Sequence, residues 1–181
     1  MAVERVEKLL RSTCHALDGE GVLYAVVGGN AVAEWVGSVD EDAIRSTKDV
    51  DILLRRGDLP QAAAALDGIG LMQEEVLGVT VFISREDPSP KRGVHVVLAG
   101  ERVREHYRHA NPDVTESVRA ASGFRVVKLL ELVKMKLQAW RDVDRTHIRD
   151  MMSVGLIDDA LAVQLPPDLL DRLEQIRQTP E

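Results

Sequence analysis

Cysteine is nearly absent from this chain: Cys14 is the only one in 181 residues. No intrachain disulfide can form, and a cysteine-based zinc site is disfavoured. Aromatic residues make up 3% of the chain, so the core has to be built from Val, Leu, Ile and Ala. No apolar run approaches the roughly 20 residues that a membrane-spanning helix needs. The N-terminus, MAVERVEKLLRSTCHALDGEG, is charged and amphipathic and lacks the apolar stretch of a signal peptide. The expectation is a soluble, cytoplasmic protein that spans no membrane. An excess of positive charge is also missing. The formal net charge is −7, which argues against a general nucleic-acid-binding surface but leaves room for a local basic patch. What is present is a 45% hydrophobic fraction, enough for one domain, or one domain with a small helical extension.

Periodicity sketches the elements. Val3, Val6, Leu9, Leu10, Cys14 and Leu17 recur at helical spacing and predict an amphipathic helix over 2–18. VLYAVV (22–27) reads as a buried strand and NAVAEWV (30–36) as a short helix. A polar loop over 37–46 leads to a strand at 48–54, and a helix with Pro60 in its first turn follows at 59–70. Strands are expected at 79–84 and 93–99. Beyond residue 100 the pattern turns helical: 124–140, then RDVDRTHIRDMMSVGL with Asp144 as a candidate cap, then PPDLLDRLEQIRQ. The expected fold class is α+β, a small mixed β-sheet with helices on one side and a helical C-terminal portion. The expected division is a core over 1–110 and a helical portion over 111–181 packed on it.

Two stretches carry chemistry. In YAVVGGNAVAEW, a strand runs into Gly28 and Gly29 and then into a helix. Either the pair makes a tight turn, or it lets a ligand approach backbone unobstructed by Cβ, with the helix amides and dipole facing an anion. There is neither a G-x-G-x-x-G nor a Walker A pattern here. About twenty residues on, RSTKDVDILL places Asp49 and Asp51 two apart on a strand, hence on one face. A bare Asp-x-Asp is often only solvated. Two carboxylates on one face otherwise need a cation between them, and Mg²⁺ is usually held by such carboxylates with phosphate oxygens. In the expected helix over 124–140, Lys136 falls at the edge of the apolar arc while Lys128 and Lys134 fall outside it. Lys136 either snorkels or meets an anion. In GERVREHYRHAN (100–111), Arg102, Arg104, Arg108, His106 and His109 surround Tyr107. That segment is either an RNA contact or a solvated helix face.

The pair VVGGNAVAEW and RSTKDVDILL resembles the signature of the nucleotidyltransferase superfamily of the DNA polymerase β type. More narrowly it is similar to bacterial minimal nucleotidyltransferases, including AbiEii-like toxin proteins. The matching positions are Gly28, Gly29 and Ala31, then Arg45, Thr47, Asp49 and Asp51. The resemblance covers roughly residues 20–100. It implies that the glycine turn seats an NTP triphosphate and that Asp49 and Asp51 hold Mg²⁺. It also implies a third carboxylate on a later strand, where this chain has His95, with Glu101 past the strand end as a weak substitute. His95 is then a base or metal ligand, a substrate contact, or the mark of a degenerate enzyme that still binds nucleotide. Leu132, Lys136, Ala139, Arg141 and Asp144 match a helix of the same group. The match implies that Lys136 meets phosphate, while Arg141 and Asp144 either form a structural ion pair, the favoured reading, or border the acceptor site.

Together these imply a Mg²⁺-dependent, NTP-binding (ATP among the candidates) enzyme that moves an NMP to a hydroxyl of RNA, protein or a small molecule. The catalytic set is Asp49, Asp51 and His95, and the nucleotide-binding set is Gly28, Gly29, Arg45, Thr47 and Lys136. The toxin-like resemblance adds an antitoxin-like protein partner. The alternative is a catalytically degenerate member that binds nucleotide or a protein partner.

Overall fold

The computed structural model describes residues 2–179. Met1, Pro180, Glu181 and the side chains of Ala2 and Val3 lie outside it, so the first residue of the N-terminal apolar spacing, Val3, goes untested. Among the described residues no helix is long and apolar enough to cross a membrane.

Helix α1 (Ala2–Gly19) buries Val6, Leu10, Cys14 and Leu17 along one face, as their spacing requires. Burial pushes the Cys14 thiol up to about 12, so it stays protonated and inert in the core. The first half of the chain then alternates: β1 (Ala25–Val27), α2 (Gly28–Gly37), β2 (Val50–Leu54), α3 (Leu59–Asp67), β3 (Leu71–Val76), β4 (Val79–Ser84) and β5 (Val94–Leu98). Two more strands follow, β6 (Ser117–Arg119) and β7 (Arg125–Val127). Four helices complete the chain: α4 (Leu129–Ala139), α5 (Asp142–Ser153), α6 (Asp159–Ala162) and α7 (Pro167–Gln178).

The strands form one mixed sheet in the order β3-β4-β5-β2-β1-β7-β6. The β1–β2 pair is antiparallel, with Val27 opposite Asp51. The β2–β5 pair is parallel, with Asp51 beside His95. Central strands β1 and β2 are wholly apolar and buried except at Asp51. A single half-buried carboxylate in the most buried part of a sheet needs a reason beyond folding.

Three sequence expectations are corrected. Residues 124–140 are not one helix. Val126 lies in β7, parallel to Val26 of β1, and the helix starts only at Leu129. Two buried valines running straight into a leucine-rich helix carry no break in hydrophobicity, so periodicity merges them. Segment 100–111 is not a helix face but an irregular loop. Asp144 does not occupy the N-cap of α5. It sits three residues in and accepts the backbone N–H of Arg141, the N-cap residue, at 3.3 Å. Strand β3 also escaped the pattern, because its outer residues Gln73, Glu74 and Glu75 are exposed. It is held by antiparallel pairing with β4.

Candidate functional site

The glycine pair is explained by what lies against it. The helix begins at Gly28 itself, whose φ of +67° is costly for any residue with a side chain. A Cβ at Gly28 would overlap the Asp51 Oδ2 atom outright and lie 2.9 Å from Asp51 Cγ. A Cβ at Gly29 would sit 2.6 Å from Thr47 Oγ1. Both glycines are therefore empty space filled by the partner motif. The antiparallel register that sets Asp51 opposite Val27 brings the carboxylate onto the turn. Val27, at the N-cap of α2, makes no side-chain capping hydrogen bond. No N-cap side chain thus covers the first amides of the helix, which lie beside a carboxylate, and a metal–phosphate pair, phosphate toward the amides and metal toward the carboxylate, suits both.

Asp51 and His95 stand side by side on β2 and β5, with His95 Nδ1 3.9 Å from Asp51 Oδ1. The sequence-predicted third position is thus occupied by an imidazole in contact range of the carboxylate. Asp49 lies one residue before β2 and is exposed. Its backbone carbonyl accepts the Asn30 side-chain amide at 2.7 Å, which ties it to the glycine helix. Asn30 escaped the sequence reading; it is the variable residue between Gly29 and Ala31 and had no pattern of its own. Desolvation raises the Asp51 pKa above the ordinary carboxylate value. Nearby His95 and Lys136 pull it down, Asp49 pushes it up, and desolvation prevails. Asp51 accepts no hydrogen bond from the described residues, and 28% of its side chain stays exposed.

This donor set fits a divalent cation. A desolvated carboxylate that accepts no hydrogen bond, beside an uncapped helix N-terminus and with a second carboxylate within electrostatic reach, has only the electrostatic pull of His95, Lys136 and Arg141 to offset its charge. Among the described residues no group of three His, Cys, Asp or Glu side chains forms a metal cage. Mg²⁺ does not need one, since it keeps waters and takes substrate phosphate oxygens as ligands.

The cationic side of the site differs from expectation in its pairing. Lys136 is buried, not snorkelling: 5% of it is exposed, and its Nζ lies 3.0 Å from Asp144 Oδ1. Arg141 holds the other oxygen of Asp144 at 2.7 Å. Burial works to raise the Asp144 pKa, but Arg141 and Lys136 outweigh it and hold it below the ordinary value. The expected Arg141–Asp144 structural pair is present, with Lys136 as its third member. Trp140 ends α4 in the left-handed conformation at φ +56°. That turn brings Arg141 and Asp144 back over Lys136. Arg45 forms a two-pronged ion pair with Asp150 of α5, both contacts 3.0 Å. Glu101 is held by Arg56 at 2.7 Å, six residues past His95, and cannot replace the missing carboxylate.

His147 of α5 was not foreseen. A Cβ at Gly29 would lie 3.7 Å from its Cε1, so the ring backs the glycine turn. It is buried, and its Nδ1 has no hydrogen-bond partner. Burial first, then Lys136, depresses its pKa to about 4. A neutral ring adds no charge behind the turn. The sequence predicts a further helix over 141–156 without singling out His147, and nothing local to that helix says which residues it meets.

The sequence matches no family model and no curated protein. Solved structures do resemble the fold. The solution structure of the antibiotic-resistance factor ANT(2″)-Ia superposes with a TM-score of 0.60 at 16% identity, over 98% of this chain and 91% of that one. An antigenic nucleotidyltransferase-like protein from Paracoccidioides brasiliensis gives 0.63 at 13% identity, over 98% and 89%. This chain has a nucleotidyltransferase fold. ANT(2″)-Ia in complex with adenylyl-2″-tobramycin gives 0.59 at 13% identity, over 93% and 96%. These likenesses span nearly the whole chain, so the C-terminal helices belong to the shared architecture as well as the sheet.

Proposed function

We propose that this protein is a Mg²⁺-dependent nucleotidyltransferase. The observation that carries the reading is the Asp51 carboxylate, desolvated and without a hydrogen bond among the described residues, packed against Gly28 at the uncapped start of α2. The nucleotidyltransferase fold supports it, as does the spacing of the glycine and aspartate motifs.

The triphosphate of an NTP lies along the amides of Gly28 and Gly29, with Thr47 at the rim. Asp49 and Asp51 hold Mg²⁺, which when bound neutralises phosphate charge and polarises the α-phosphorus. Lys136 and Arg141 carry two positive charges against the single carboxylate of Asp144. The surplus positive charge favours the triphosphate and the leaving pyrophosphate. Arg45, although engaged with Asp150, adds positive charge on the same side. An acceptor hydroxyl oxygen bonds to the α-phosphorus, and the bond from that phosphorus to the β-phosphate bridging oxygen breaks. Pyrophosphate leaves, and the hydroxyl proton passes to His95, whose ring adjoins the metal carboxylate. Rate enhancement comes from positioning and fixed charge. One structural neighbour, ANT(2″)-Ia, is bound to adenylyl-2″-tobramycin, a small molecule carrying an adenylyl group. For this chain RNA, protein and small-molecule hydroxyls are all candidate acceptors, and the toxin-like resemblance favours RNA or protein and an antitoxin-like partner.

One observation favours a second reading. His95 sits where a third carboxylate is expected, which suits a degenerate member that binds nucleotide or a protein partner without transfer. Assaying transfer from α-labelled NTPs to RNA, protein and aminoglycoside acceptors separates the two. The first reading expects transfer in the wild type and none in Asp49→Ala/Asp51→Ala; equal transfer by both would refute it. His95→Asp then discriminates further. A loss of activity gives His95 a role of its own; a gain from a silent wild type marks a degraded enzyme.

A further inference from the structure

A cleft of about 750 Å³ has Arg141 in its lining. Its walls are the 101–110 loop, the end of α4 and one face of α7. Four arginines line it, Arg104, Arg108, Arg141 and Arg172, against two carboxylates, Asp168 and Asp171. A positive cleft on a body of net charge −7 is a local exception that composition hides.

The loop that supplies two of the arginines is fixed in place. The His109 N–H donates to Gln138 Oε1 at 2.8 Å, and Gln138 Nε2 donates to the His109 carbonyl at 2.7 Å. The His109 ring meets both oxygens of Asp168 at 3.1 Å, so that carboxylate is already engaged. Arg172 is engaged too. It donates to the carbonyls of Leu137 and Gln138 and lies over Trp140, which Arg145 also covers. The side chains of Arg104 and Arg108 are exposed and make no hydrogen bond or close ion pair among the described residues, although Arg108 lies within electrostatic reach of Asp168, and between them Tyr107 is half-buried with its ring met edge-on by His106. The groups left to meet a ligand are thus two arginines and an aromatic ring, which is the equipment for phosphates and a stacked base.

We propose that this cleft holds the 3′ end of a single-stranded polynucleotide, with Arg104 and Arg108 on its phosphates and a base against Tyr107. The terminal hydroxyl then points past Arg141, which lines the cleft and lies within electrostatic reach of Asp51. A polycationic acceptor of the aminoglycoside kind would meet like charge here. The inference rests on the nucleotidyl-transfer reading and narrows its acceptor to a polyanion.

The test is fluorescence anisotropy with a short fluorescein-labelled single-stranded RNA and the matching DNA, on the full chain. Nucleotide-induced thermal shifts are measured on the same samples. Arg104→Glu/Arg108→Glu should weaken RNA binding about tenfold or more, and losing two phosphate contacts should lower the salt slope by about 1.4. The NTP shift should stay at the wild-type size. Tyr107→Ala should weaken binding with an unchanged salt slope. Binding of either strand through these arginines sustains the proposal, and the tighter of the two names the acceptor. No binding of either oligonucleotide to the wild type, or equal binding by both arginine forms, overturns it. Saturable kanamycin binding that Asp171→Asn abolishes overturns it as well. An NTP shift that persists without oligonucleotide binding counts against the cleft alone. Oligonucleotide binding without any NTP shift counts against the transferase reading alone.

Discussion

Two clusters of charge lie within electrostatic reach of each other and are built on opposite terms. At the α4–α5 junction, Asp144 is gripped by Lys136 and Arg141, and the three form a closed network in which Asp144 and Lys136 are buried. At the sheet centre, Asp51 has no hydrogen-bonding partner among the described residues, and desolvation raises its pKa. A buried charge with its counter-charges in place maintains a fold. One whose counter-charge is missing costs stability and is kept for what binds there.

Breaking each cluster should therefore have opposite consequences. The largest effect expected is on transfer. Asp49→Asn/Asp51→Asn should lower kcat by about 10⁴-fold or more, measured with labelled NTP. The same variant should unfold at a higher temperature than the metal-free wild type at neutral pH. The sign follows from the raised Asp51 pKa. The folded state binds that proton more tightly than the unfolded chain, so ionisation costs stability as pH rises through the folded pKa. Asparagine removes that cost. Asp144→Ala should do the reverse. It leaves Lys136 buried without its carboxylate and should cost about 3–5 kcal/mol, read by urea unfolding.

His147 gives a smaller, pH-dependent effect. Its folded pKa is depressed to about 4 from 6.5, so the unfolded chain binds the proton more tightly. Its contribution is fully present above about pH 6.5 and is lost as pH falls toward 4. The loss amounts to roughly 3 kcal/mol. Stability curves of His147→Gln should be flatter than wild type across that window. Gly28→Ala should cost about 1–2 kcal/mol for the left-handed alanine alone, before the overlap with Asp51 is added. Its Cβ also displaces Asp51 Oδ2, so its loss of transfer should exceed what the stability change explains, as a kcat assay would show.

The half of the site built from local pattern was legible beforehand. Gly28–Gly29 and Asp49-x-Asp51 each show in a few adjacent residues, and the family resemblance pointed to His95 as the third position, which the β2–β5 register sets beside Asp51. The rest depended on contacts remote in sequence. His147 meets Gly29 across more than a hundred residues, and nothing in its own helix signals it. Lys136 looked like an edge lysine because its partner Asp144 lies beyond a left-handed Trp140, a turn usually made by glycine. Strand β7 was lost to the helix it adjoins, since burial against β1 rather than any local pattern makes it a strand. In the fold, as in the site, pattern located elements that carry their own periodicity and missed those defined by a neighbour.

The measurement closest to the central claim is thermal unfolding with each of the four NTPs, with and without Mg²⁺, for the wild type and Asp49→Ala/Asp51→Ala. Ligand at 100 times its Kd should stabilise the fold by about 2.7 kcal/mol, a shift of a few degrees. The account predicts a Mg²⁺-dependent shift in the wild type that the double variant loses. No shift with any NTP, or an equal shift in both proteins, would contradict it and leave Gly28 and Gly29 as a turn that merely makes room for Asp51 and Thr47.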